Sequence, residues 1–269
     1  AARLIQGADG LMIAAGAGMG VDSGLPDFRG NAGLWRAYPA LAGARIAFEE
    51  IASPDAFVRS PALAWGFYGH RLNLYRRTVP HPGFAILQAI GARLPRGNFI
   101  FTSNVDGQFQ RAGFDENRVC EVHGSIHHLQ CLDGCDGRIT PADGFEPEVD
   151  EDACLLRSPL PRCTGCHALL RPNVLMFGDW GWLSQRTAAQ RRRLEAWLGG
   201  TQRAVVIEIG AGLHVPTVRW FSETLGEPLI RINPTEPDIP GRGVSLPMGG
   251  LAALEGIQQA LSQRGFFER

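Results

Sequence analysis

The stretch Gly10-Leu11-Met12-Ile13-Ala14-Ala15-Gly16-Ala17-Gly18 joins an apolar run with no polar break to a glycine turn. Such a run reads as a strand buried on both faces, as in a parallel sheet covered by helices. The glycines that end it let backbone N–H groups approach a pyrophosphate closely, although an ordinary tight turn has the same composition. The pattern departs from the hydride-transfer fingerprint, because a glycine is required three residues after Gly18 and Val21 stands there. No acidic residue follows a second strand about 20 positions on, as ribose recognition in that class requires.

Similar apolar runs recur at 98–103, 118–122, 204–209, 228–232 and 243–246, alternating with helical periodicity at 84–94, 185–198 and 251–261. The alternation predicts an α/β fold, a Rossmann-like doubly wound parallel sheet. Two stretches interrupt it. Residues 31–78 are rich in aromatics and helix formers and read as a helical insertion; 125–172 hold four paired cysteines, several prolines and an acidic loop at 146–152. The nucleotide-binding domain then comprises 1–30, 79–124 and 173–269, with 31–78 forming a helical insertion and 125–172 a small metal-binding module.

Of 269 residues, 45% are apolar and 20% charged, with a formal net charge of −1. That excludes a disordered chain and gives no basic footprint for a specific nucleic-acid partner. No apolar run reaches the roughly 18 to 20 residues that span a bilayer, and no basic-then-apolar leader precedes Leu11. A soluble cytoplasmic protein without a membrane partner is expected. All 26 basic residues are Arg. The absence of lysine excludes Schiff-base chemistry, lysine-anchored pyridoxal phosphate, the P-loop lysine and the strand lysine of a kinase.

In a reducing compartment paired cysteines favour metal over disulfides. Cys131-x3-Cys135 and Cys163-x2-Cys166, with 27 residues between the pairs, have the spacing of a four-thiolate structural Zn2+ site. The metal would replace the core that so short a module cannot build. Cys154 is an alternative ligand to one of the four, Cys120 lies in an apolar strand and reads as core, and His127 and His128 are not needed to complete a tetrahedron.

Further along come Pro26-Asp27-Phe28-Arg29-Gly30, Thr102-Ser103-Asn104-Val105-Asp106, Val122-His123-Gly124, Arg171-Pro172-Asn173-Val174-Leu175-Met176-Phe177-Gly178-Asp179 and Ile232-Asn233. With the glycine turn and the cysteine pairs, this ordered set resembles the sirtuin (Sir2) family of NAD-dependent protein deacylases, of bacterial type. The resemblance implies NAD as co-substrate, acylated-lysine proteins as substrates, and release of nicotinamide and O-acyl-ADP-ribose. It implies His123 as the base that deprotonates a ribose hydroxyl, Asn104 as the residue that orients ribose and water, and Asp106 as the holder of the nicotinamide carboxamide. The cofactor side would be formed by Gly16, Ala17, Gly18, Asp27, Phe28, Arg29 and Ser103, with Gly210, Ala211, Gly212 and Asn233 on the adenosine half. Val174, Met176, Phe177 and Gly178 would receive the substrate peptide as an added strand.

Tyr68 and Arg71 form a Tyr-x-x-Arg pair like that of sirtuins that remove succinyl or malonyl groups. A terminal carboxylate entering an apolar tunnel needs a charged, hydrogen-bonding partner; the other reading is a Tyr in the core and an Arg in solvent. Trp180 and Trp182 either line the cleft mouth or belong to the core, and Arg191 to Arg193 read as a solvated helix face. Four positions depart from the family pattern, with Gly20, Ser103, Ala211 and Gly212 standing where longer polar side chains are usual. An NAD glycohydrolase, a mono-ADP-ribosyltransferase and a catalytically silent NAD-binding module are the rival functions.

Overall fold

The apolar run Gly10–Ala15 forms strand β1, with all six residues buried. Along the chain follow β2 (Asn98–Thr102) and β3 (Val119–Glu121), then five short strands: β4 (Gly124–Cys131), β5 (Ile139–Pro141), β6 (Val149–Asp150), β7 (Leu155–Leu156) and β8 (Leu170–Val174). The last three are β9 (Ala204–Ile209), β10 (Leu229–Ile232) and β11 (Gly243–Leu246). The computed structural model describes residues 1–27, 30–241 and 243–268, so the expectations placed on Phe28 and Arg29 lie outside the described residues. One six-stranded sheet has the order β11-β10-β9-β1-β2-β3, every pairing parallel. The winding direction reverses between β1 and β9, and ligand crevices open at the carboxyl ends of strands at such a switch point. Both glycine turns, 16–18 and 210–212, stand there.

The helices are α1 (Ala2–Gln6), α2 (Gly30–Ala37), α3 (Pro39–Gly43), α4 (Phe48–Ile51), α5 (Pro54–Arg59), α6 (Pro61–Arg77), α7 (Gly83–Ala92), α8 (Gln108–Arg111), α9 (Gln185–Gly199), α10 (Thr217–Thr224) and α11 (Gly250–Ser262). Side chains alternate across a strand, so β1 serves two cores. Leu11 and Ile13 pack with Leu87 and Ile90 of α7 and Leu254 and Ile257 of α11. Met12 and Ala14 pack with Leu194 and Trp197 of α9 and Val218 of α10. Each such fully buried side chain contributes roughly 1.5–3 kcal/mol. Among the described residues no helix is long and apolar enough to cross a membrane.

The sheet differs from the sequence reading at one side. β11 is alternately exposed rather than buried, because it is the outermost strand and pairs only with β10. Next to it, β9 and β10 carry a charged pair in register: Glu208 lies opposite Arg231, whose Nε donates to Glu208 Oε1 at 2.6 Å and whose Nη2 donates to Oε2 at 2.9 Å. Glu223 of α10 accepts a further bond from Nη2 at 2.7 Å. Two buried charges with several hydrogen bonds satisfy each other, whereas either alone would be costly.

The two interrupting stretches, remote in sequence, share one hydrophobic core: Leu34, Phe57, Trp65 and Phe67 from 31–78 meet Ile126, Leu129, Leu156 and Leu169 from 125–172. Within the latter, β4 pairs antiparallel with β5 and β8, and the acidic loop forms the hairpin β6–β7. Helix α6 approaches this hairpin so closely that a Cβ on Gly66 would lie 2.0 Å from the Cys154 carbonyl oxygen. Cys154 is therefore a core residue at a left-handed turn (φ 53), buried away from the other thiols, and is not the alternative metal ligand. Cys120 is fully buried on β3.

Candidate active site

The four thiols of Cys131, Cys135, Cys163 and Cys166 converge, with all their sulfurs within 4.8 Å of one another. Cys131 Sγ lies 3.6 Å from Cys166 Sγ and Cys135 Sγ lies 3.5 Å from Cys163 Sγ. These distances are too long for disulfides and close to the ~3.8 Å edge of a tetrahedron with Zn–S bonds of ~2.3 Å. Backbone bonds from Cys166 and Gly165 bring the Cys163 thiol down to about 7, so that it favours the thiolate a metal needs. The donor set fits a structural zinc ion, and four sulfur ligands leave no open position for chemistry.

The two glycine turns press backbone to backbone. A Cβ on Gly16 would lie 2.7 Å from Ala211 Cα, and one on Gly18 would lie 2.6 Å from Gly210 Cα. Gly16 N–H donates to the Ile209 carbonyl (3.0 Å) and Gly18 N–H to the Gly210 carbonyl (3.1 Å). These glycines are thus accounted for by chain packing at the switch point, and Ala17 is the turn residue that faces the cavity. Asn233 is buried and fully engaged: its Nδ2 donates to the Ala211 carbonyl, and its Oδ1 accepts from the N–H groups of Thr235 and Glu236. It braces the second turn. At Gly20 an added Cβ would lie 3.1 Å from Leu25 Cδ1, so packing accounts for the small residue there.

Beside these turns is a cavity of about 360 Å³, lined by Ala17, Asp27, Ser103, Asn104, Asp106 and His123 on one side and by Tyr68, Arg71, Tyr75, Val174, Met176 and Phe177 on the other. His123 stands on a two-residue turn between β3 and β4. Gly124, which ends that turn at φ 80, has no room for a side chain, since its Cβ would meet the Asn173 carbonyl at 2.1 Å. Burial and the positive charge of Arg191 hold the His123 imidazole below its ordinary value, and a hydrogen bond to the Ser103 backbone opposes them. The ring is therefore neutral at pH 7, the state a general base requires.

Asn104 is fixed at two points: its N–H donates to Thr102 Oγ1 (3.0 Å) and its Nδ2 donates to the Gly16 carbonyl (3.0 Å). Asp106 Oδ1 accepts from Gln108 N–H at 2.9 Å. Burial pushes its carboxyl up to about 6, and neighbouring Glu121 adds to the rise. Arg71 and Tyr68 both line the cavity, so neither is a solvent residue. The Arg71 guanidinium carbon lies 5.1, 5.6 and 5.5 Å from the ring centres of Phe67, Tyr68 and Tyr75, and its Nε donates to Tyr75 Oη at 3.0 Å. Burial pushes the Tyr68 phenol up to about 12, which keeps it a neutral hydrogen-bonding group.

The segment 174–177 forms the opposite wall. Leu175 N–H donates to the His123 carbonyl and Phe177 N–H to the Ala52 carbonyl, both at 2.9 Å. Its end is set by a buried ion pair in which Arg171 Nη1 and Nη2 donate to the two oxygens of Asp179, each at 2.8 Å. Trp180, just beyond, is fully exposed, Trp182 is half-buried, and Arg191 and Arg192 face solvent.

The structure gathers Ala17, Asp27, Ser103, Asn104, Asp106, His123, Tyr68, Arg71, Val174, Met176 and Phe177 at one cavity, whereas Gly16, Gly18, Gly178, Gly210, Ala211, Gly212 and Asn233 do not line it. Two residues were not foreseen. Tyr75 lies four positions after Arg71, a spacing that puts both on one helix face. Thr217 meets His123 across 94 residues of sequence, for which no local signal exists.

Fold and site together define a class: a doubly wound dinucleotide-type sheet with a thiolate module beside the cleft. The Sir2 family model matches residues 16–217, and the chain belongs to the Sir2 family. An NAD-dependent protein deacylase of Pyrococcus furiosus is 37% identical over 164 residues, covering 61% of this chain and 59% of that protein, so this chain spans less than two thirds of that relative's length. An NAD-dependent protein deacylase of Aquifex aeolicus is 32% identical over 227 residues, 83% of each chain. The crystal structure of a Sir2 homologue in complex with NAD superposes with a TM-score of 0.74 at 25% identity, covering 98% of this chain and 93% of that one.

Proposed function

We propose that this protein removes acyl groups from lysine side chains of other proteins in an NAD-dependent reaction, releasing nicotinamide and O-acyl-ADP-ribose. The observation that carries this reading is the single cavity that joins His123, Asn104 and Asp106 to the Tyr68–Arg71 pair and the strand-like wall 174–177. The NAD-bound resemblance of the fold and the names of the relatives support the co-substrate. NAD supplies an anomeric carbon that accepts the acyl oxygen once nicotinamide departs. Asp106 accepts the carboxamide N–H, Asn104 orients the ribose and the attacking water, and His123 takes the proton of a ribose hydroxyl at a ring nitrogen. The segment 174–177 borders the cavity where, in this reading, a substrate peptide lies alongside it.

The acyl groups accepted are acetyl and, in this reading, carboxylate-tipped succinyl or malonyl. A buried guanidinium held by Tyr75 and ringed by aromatic faces matches a carboxylate better than a methyl group. The place of action is the cytoplasm, where six thiols stay reduced.

Incubation with NAD and acetyl-, succinyl- and malonyl-lysine peptides, followed by mass spectrometry, tests the proposal. Nicotinamide and O-acyl-ADP-ribose should form in equal amounts. Free ADP-ribose independent of peptide would mark a glycohydrolase instead, and no product a silent NAD-binding module.

A further inference from the structure

Thr217, the first residue of α10, places its Oγ1 3.3 Å from His123 Nε2. Among the described residues it is the only side chain hydrogen-bonded to that ring. The helix is anchored beneath it by buried Val218 and Arg219, so the hydroxyl is delivered from a fixed element. On its other side the ring lies against the backbone of Ser103. A neutral imidazole has one N–H and one lone pair, and the partners of each nitrogen decide which is which. A threonine hydroxyl within reach of Nε2 can donate to a lone pair there, which places the ring's one N–H on the other nitrogen.

The charged groups around the ring do not substitute for this contact. Arg191 approaches from α9, Asp27, Asp106 and Arg71 line the same cavity, and nearby Glu121 is paired with Arg186 at 2.5 Å. None of them is hydrogen-bonded to Nε2 among the described residues.

We propose that Thr217 is a positioning residue for the base: its hydroxyl holds the His123 ring with the Nε2 lone pair available, and yields that lone pair to the sugar hydroxyl when the co-substrate enters. The inference rests on His123 being the base of the proposed deacylation.

Nitrogen-15 NMR of histidine-labelled protein, with His123→Ala providing the assignment, reads which ring nitrogen carries the proton at a pH where the imidazole is neutral. Wild type and Thr217→Ser should show the N–H away from Nε2, and Thr217→Val, which keeps the branched shape, should show a substantial share of Nε2–H. Turnover of an acetyl-lysine peptide should fall at least about tenfold in kcat in Thr217→Val, with the peptide KM little changed, and recover in Thr217→Ser. An unaltered tautomer in Thr217→Val, or a kcat loss that serine does not restore, overturns the proposal. If wild type never consumes NAD yet the tautomer responds to Thr217→Val, the deacylase reading fails and the positioning role stands.

Discussion

Gly18 and Gly210 meet across the switch point so closely that a Cβ on Gly210 would lie 2.3 Å from Gly18 Cα, at a φ of 62 that non-glycine residues avoid. Gly210→Ala should therefore strain the backbone by at least about 1–2 kcal/mol and push the two turns apart. A melting temperature lowered by several degrees, roughly 2–4 °C per kcal/mol for a chain of this size, and NAD affinity reduced about tenfold are expected by thermal melts and calorimetry. A wild-type melt and affinity would refute the packing argument.

The base should work at unusually low pH. His123 is held below its ordinary value of 6.5, chiefly by burial, so its neutral form persists at pH 7 and is lost only as pH falls through that lowered value. The acid limb of kcat/KM should lie below about 6.5, and His123→Ala should lose at least about 100-fold in kcat. An acid limb centred above the value of free imidazole would contradict the assignment.

Asp106 lowers stability wherever it is ionised. Its carboxyl is raised from 3.8 to about 6, so the ionised form costs the folded state at most about 3 kcal/mol above pH 6. The cost shrinks as pH falls through 6 and vanishes below 3.8, where both states are protonated. Asp106→Asn should melt higher than wild type at pH 8, equal to it near pH 3.5, and turn over far more slowly. Melts at the two pH values check the sign.

Arg71→Met should lower kcat/KM for succinyl-lysine peptide by roughly 10- to 100-fold while changing acetyl-lysine turnover much less, the loss expected for one charge-assisted hydrogen-bonded contact. Equal losses on both substrates would make Arg71 purely structural.

One zinc per chain should be found by elemental analysis, and removing it with a strong chelator, or replacing Cys163 with Ala, should unfold the segment around the four thiols. Proteolysis at 132–168 should then precede cleavage elsewhere. Resistance of that segment without metal would show that the shared hydrophobic core suffices.

Much of this was legible in the sequence for identifiable reasons. Strands covered on both faces leave unbroken apolar runs, so β1 and β9 could be read directly, and the paired spacing pointed to the four thiols, while only the fold removed Cys154 as a substitute. The motif order put His123, Asn104 and Asp106 in one frame. What stayed hidden depends on three-dimensional partners. The Glu208–Arg231 pair needs strand register, the exposure of β11 needs knowledge of the sheet's edge, and the merging of 31–78 with 125–172 into one core needs the fold itself. Tyr75 depends on the rotation of α6 about its axis, and Thr217 on where α10 begins relative to a turn 94 residues away.

β8 starts four residues after Cys166 and runs without interruption into the wall that faces His123, where Asp179 pins its far end. A single ribbon therefore ties the thiolates to the cavity wall at 174–177, while the glycine turns are rooted in the other sheet. Oxidation or metal theft at the sulfurs would slacken that wall first, which the proposed reading gives to the acylated protein, and leave the crevice between the glycine turns in shape. On that reading, affinity for the acylated protein would answer to redox chemistry that the co-substrate side never feels.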